Sequence, residues 1–166
     1  VLLDGYRADP PIDAHSSVAR AANIPRQAGK TLNQALITGA GDNHAIEADL
    51  HEHGITTGRI RITGDSLVQR ARMRLVHRFL KSTATHMLFW DADIECMTPD
   101  CVRAMMATGY DVVAGACPFK DTSGRTVHNL WDDEPPKLDA HDCGEVRDAG
   151  TGFMLIRRHA LLKLMQ

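Results

Sequence analysis

The chain has 166 residues, of which 43% are hydrophobic and 24% charged, and a formal net charge of −2. This is globular composition, long enough for one domain with a core. The near-neutral balance offers no electrostatic coat for nucleic acid or a membrane surface, and no apolar run approaches the roughly 20 residues of a membrane span.

Residues 1–23 lack sustained periodicity and read as a poorly defined arm; the apolar part of Val1-Leu2-Leu3-Asp4 is too short for a signal peptide. Residues 24–166 read as a single domain. Ala21 to Pro25 suggests a short strand ending in a turn. Leu32–His53 reads as helical, with Leu32, Leu36, Ile46 and Leu50 as core candidates, interrupted by Gly39-Ala40-Gly41 and ended by Gly54. Arg59-Ile60-Arg61-Ile62-Thr63 alternates as a strand does. Gly64-Asp65-Ser66 then turns into a helix running to about Leu80, with Asp65 or Ser66 as N-cap. Val68, Leu75, Val76 and Phe79 form its apolar face, and Arg70, Arg74 and His77 its solvated one.

Arg72 falls inside the apolar arc. A guanidinium there must find an anion, because burying it unpaired is costly. It either snorkels, pairs with a structural carboxylate, or reaches active-site carboxylates or a ligand phosphate.

The apolar run Met87-Leu88-Phe89-Trp90 leads into Asp91-Ala92-Asp93. Strand residues i and i+2 point the same way, so both carboxylates are expected to project together where a buried strand emerges. Two hard oxygen donors suit Mg²⁺ or Mn²⁺, which then usually also holds a phosphate. The alternative is a pair of loop carboxylates capping the next helix or pairing with Arg72. That helix opens at Thr98-Pro99, with Thr98 as N-cap, buries Val102, Met105 and Met106, and ends at Gly109. Asp111–Ala116 is a short strand of small and branched residues. Pro118–Asp142 is a long polar loop of the kind that serves as a lid or binding loop. It contains His128, a further candidate metal ligand, and His141. Gly150-Thr151-Gly152 precedes the buried strand Phe153–Ile156, and Arg158 onward reads as a helix. Cys96, Cys101, Cys117 and Cys143 show no C-x-x-C pair and read as free thiols in a reducing compartment, which gives a cytoplasmic expectation. Alternating strands and helices predict an α/β fold with a mainly parallel, Rossmann-like sheet and sites at the carboxyl ends of strands. A phosphate loop of the G-x-x-x-x-G-K type and a G-x-S-x-G elbow are both absent.

Four segments in order carry a family resemblance: Gly64–Arg74, Thr85–Ile94, Asp111–Lys120 and Ala149–Arg158. Together they resemble GT-A-fold glycosyltransferases, closest to family-two-like members of bacterial or viral type, over about residues 54–166. The resemblance implies metal-dependent transfer of a sugar from a nucleoside diphosphate sugar to an unknown acceptor, with Mn²⁺ or Mg²⁺ as cofactor. Asp91 then lies near the ribose or sugar, Asp93 coordinates the metal, and Arg72 and Asp65 support the donor. The family's base-holding turn is echoed only by Ile24-Pro25 and Gly29-Lys30. The Glu-Asp pair expected after the last helix is missing, so the domain reads as truncated at both ends. Asp148 stands as a substitute base, with a turn residue or a donor-sugar contact as its alternatives. Rival functions are a sugar nucleotidyltransferase, for which Ala28-Gly29-Lys30 is a poor phosphate loop, and a non-catalytic nucleotide-binding fragment.

Overall fold

A computed structural model describes residues 34–38, 44–62, 65–94, 98–117, 128–129 and 136–166. In chain order the elements are β1 (Gln34–Thr38), α1 (His44–Glu52), β2 (Thr56–Ile60), α2 (Val68–Leu80), β3 (His86–Trp90), α3 (Cys101–Ala107), β4 (Val112–Ala114), β5 (His128–Asn129), β6 (Asp148–Ala149), β7 (Phe153–Arg157) and α4 (Arg158–Lys163). The five-stranded main sheet has the order β2-β1-β3-β7-β4, and β5 pairs with β6 in a small second sheet.

The α/β class holds, but the expected mainly parallel sheet is corrected. The pairs β1–β2 and β1–β3 are parallel; β3–β7 and β4–β7 are antiparallel. Four strands therefore run one way, and β7 returns between two of them. β7 thus begins beside the carboxyl end of β4.

β3 is the centre of the molecule. All five of its residues are buried, and Met87 and Leu88 are wholly so. Alternation sends Leu88 and Trp90 to one face, where α1 contributes Ile46 and Leu50 and α3 contributes Val102, Met105 and Met106. Met87 and Phe89 face the other side, against Phe79 of α2 and Ala160 of α4. Helices thus cover both faces, and each large apolar side chain buried this way stabilises by about 1.5–3 kcal/mol.

Residues 34–38, expected within a helix, form β1 instead. The glycines at 39 and 41 cut the helical pattern, and a ladder on both sides of this short run outweighs its local preference. Ile46 and Leu50 are core as expected, whereas Leu32 lies outside the described residues. Gly54 ends α1 at φ +75°, donating to the His51 carbonyl while Ile55 N–H reaches Leu50 O at 2.8 Å. The second strand comes earlier than the Arg59–Thr63 alternation suggests. Its ladder stops where Thr38, the last residue of β1, meets Ile60. The α2 cap is Leu67, not Asp65 or Ser66, and no side chain caps it. The α3 cap is Asp100, not Thr98. Thr98 O instead accepts from Cys101 N–H in a turn before the helix, and its own hydroxyl is buried without a hydrogen-bond partner.

The expectation of four free thiols is corrected at Cys101, which is disulfide-bonded; Cys117 and Cys143 are free. The cytoplasmic reading loses that support. Among the described residues, no helix is long and apolar enough to cross a membrane. Residues 1–33, with their expected arm and short strand, lie outside the described residues. So does most of the Pro118–Asp142 loop.

His86, at the start of β3, is buried with Nε2 unpartnered, while Nδ1 meets Thr85 Oγ1 at 2.8 Å. Burial, then the nearby charges of Arg157 and His159, push its pKa down from 6.5 to about 4. A base with a depressed folded pKa resists protonation that the unfolded chain accepts. Stability is therefore full above pH 6.5 and falls as pH drops toward about 4. The loss approaches about 3 kcal/mol, and urea unfolding at stepped pH measures it. His86→Leu is expected to flatten that slope; an unchanged slope in the variant would assign the acid sensitivity to other groups.

Candidate active site at the carboxyl end of β3

β3 ends at Trp90, and Asp91–Ile94 is a turn closed by Ile94 N–H donating to Asp91 O at 3.2 Å. The two carboxylates are therefore not placed by strand alternation, as the sequence suggested. Neighbouring groups pin the turn instead. Asp91 N–H donates to Gly152 O at 2.7 Å, extending the β3–β7 ladder by one bond. Trp90 Nε1 donates to Ile94 O at 2.7 Å, and the Trp90 indole sits edge-on to Phe153 at 5.4 Å. A Cβ on Gly152 would lie 3.5 Å from Asp91 Oδ2, an ordinary contact, so space alone does not require glycine there.

Arg72 resolves its position in the apolar arc by reaching this turn. Its Nη2 donates to both Asp91 oxygens, at 3.2 and 3.0 Å, and its guanidinium lies 5.8 Å from the centre of the Phe89 ring. The Arg72 side chain is 28% exposed and that of Asp91 46%, so the pair sits at the mouth of the site. Asp93 is exposed on the same turn. Both carboxylates act on Cys117, a half-buried thiol just past β4, whose pKa is raised first by burial and then by the charges of Asp91 and Asp93. Cys117 was not singled out by sequence reasoning. Its place directly after the small-residue strand is the only signal that could have marked it.

Asp65 and Asp148 have partners of their own. The Asp65 side chain is 2% exposed and is held by Arg70 at 2.8 Å and Arg74 at 3.4 Å, with Leu67 N–H donating to Oδ1. The Arg70 hydrogen bond is the chief cause that lowers its pKa to about 2. Asp65 is therefore occupied in fixing the entry to α2, and Arg70 and Arg74 are its partners rather than a purely solvated face. Asp148, in β6, is exposed and paired with Arg147 at 3.0 Å. The side chain of His128 lies outside the described residues. Among the described residues no group of three or more His, Cys, Asp or Glu side chains converges as a metal cage. Two carboxylates on a turn suit an ion that keeps waters and takes its other ligands from a phosphate.

No family model and no curated protein matches the chain. A solved structure titled "Crystal Structure of A197 from STIV" is similar over 80% of this chain and 68% of that one, with 26% sequence identity and a TM-score of 0.50. The likeness concerns the mixed α/β fold.

Proposed function

We propose that the chain is the nucleotide-sugar-binding part of a metal-dependent glycosyltransferase of GT-A type. The observation that carries this reading is the meeting of Arg72 with Asp91 beside Asp93, on a pinned turn at the carboxyl end of the wholly buried strand β3. Open α/β sheets place ligands at such strand ends. Asp93 and Asp91 supply hard oxygen donors for Mn²⁺ or Mg²⁺. Arg72 supplies a cation able to leave Asp91 for a diphosphate oxygen. The ion, when bound, would offset negative charge on the departing diphosphate. Asp148 as base, and donor support by Asp65, form no part of the proposal.

Calorimetry with uridine, guanosine, cytidine and adenosine diphosphates in the presence of Mn²⁺ tests it. At least one is expected to bind only with the metal, and Asp93→Ala to weaken that binding by more than about tenfold. Metal-independent binding, or binding unchanged in Asp93→Ala, would sink the assignment. So would a failure of every nucleotide to bind.

A further inference from the structure

A cavity of about 640 Å³ opens between edge strand β4 and the 137–149 segment, a size suited to a small organic ligand. Its floor is apolar: Val112 and Ala114 of β4, Met154 of β7, and Val146 and Ala149. Its rim carries both signs of charge, Lys137 and Glu145 among them. Other charged groups around it are already engaged. Asp139 accepts from the Tyr110 hydroxyl and from the His141 and Cys143 amides. Asp111 is paired with His159 and Lys163. Arg147 is paired with Asp148. Tyr110 is thereby tethered through its hydroxyl, and its ring meets His141 edge-on at 6.5 Å. A fixed ring, an apolar floor and a rim of mixed charge suit an uncharged hydroxyl compound with an apolar face better than a polyanion.

Strands β4 and β7 connect the cavity to the candidate active site. Met154 in its wall pairs with Ala114 on one side and with Phe89 on the other, and Arg72 lies over the Phe89 ring. Two chain segments lead from the cavity to the Asp91 turn. β4 continues from Ala114 to Gly115, whose N–H donates to Phe153 O at 2.9 Å beside Trp90, and Ala149 continues to Gly152, which accepts from Asp91 N–H. A group-transfer enzyme needs a second substrate beside the first. We infer that this cavity receives the acceptor, a neutral hydroxyl compound with an apolar ring, of which an aryl glycoside is the simplest representative. The word acceptor rests on the donor site proposed above; ligand binding by the cavity does not.

The test is an NMR titration of the isotope-labelled full chain with p-nitrophenyl β-glucopyranoside, alone and with a nucleoside diphosphate and Mn²⁺. Saturable shifts are expected at the amides of Val112, Val146 and Ala149. Val146→Trp, which fills the cavity, is expected to weaken binding by more than about tenfold, and Glu145→Ala, an exposed change with little risk to folding, by about three- to tenfold. Paramagnetic Mn²⁺ bound with the nucleotide is expected to broaden the resonances of the bound glycoside. Shifts that never saturate, or that persist unchanged in both variants, would overturn the cavity assignment even if the metal–nucleotide complex forms. Saturable binding at the cavity without any metal–nucleotide complex would overturn the donor reading and the acceptor role. Binding of both without broadening would overturn their adjacency, and with it the acceptor role alone.

Discussion

Arg158→Ala is expected to destabilise the protein by about 3–5 kcal/mol, because it strips one donor fork from several carbonyls at once. Arg158 Nε donates to Ala84 O at 2.7 Å, Nη1 to Leu80 O at 3.1 Å, and Nη2 to Phe79 O at 2.9 Å and Ser82 O at 2.6 Å. Its guanidinium also lies 4.7 Å from the centre of the wholly buried Phe79 ring. The last carbonyls of α2 have no partners within their own helix, and a cation at a helix carboxyl end is favourable in addition. A residue at the start of α4 thus caps a helix that ends 78 positions earlier, counting from Leu80. Arg158→Lys is expected to recover little, since a compact ammonium cannot reproduce the planar fork. Arg147→Ala serves as the control. It breaks only an exposed pair with Asp148 and is expected to change stability by less than about 0.5 kcal/mol. Urea unfolding reads all three. A loss in Arg158→Ala no larger than in Arg147→Ala would refute the capping role.

The second large effect is expected at Arg103. This residue is 5% exposed within the apolar face of α3, and its Nε and Nη2 donate to Asp49 of α1 at 3.0 and 3.3 Å. Asp100 lies farther off, at 3.8 Å. Arg103→Met leaves the Asp49 carboxylate under-compensated and is expected to cost about 3–5 kcal/mol. The double variant Arg103→Met with Asp49→Leu removes both charges and is expected to cost much less than the two single changes added together. Strict additivity in that cycle would show that the pair does not couple α1 to α3.

Both effects escaped the sequence for one reason. Arg103 and Arg158 gain their partners from elements 54 and 74 or more positions away, and neither composition nor helical period encodes such meetings. Local signals were legible where the answer was local. The buried run 87–90, the Gly54 helix end, the strand after Gly152 and the apolar contributions of Ile46 and Leu50 all follow from short-range chemistry. Arg72 was legible as a problem, a guanidinium inside an apolar arc, and its solution at Asp91 was among the alternatives that this placement poses. Asp65 was misread because a cap-like residue before a helix looks the same whether it bonds a backbone amide, a ligand or two arginines. The direction of β7 was illegible for a related reason. A buried apolar strand reads alike in either orientation, and only the path of the preceding excursion decides it.

That orientation has a consequence for how the molecule is made. β7 follows β4 in sequence, yet it lies between β3 and β4, so one side of β3 stays open until residues 153–157 have been made. Until then β3 presents an unpaired edge that is apolar from Met87 to Trp90, the kind of surface that recruits chaperones or seeds aggregation. The step that covers this edge is also the step that sets Gly152 against Asp91.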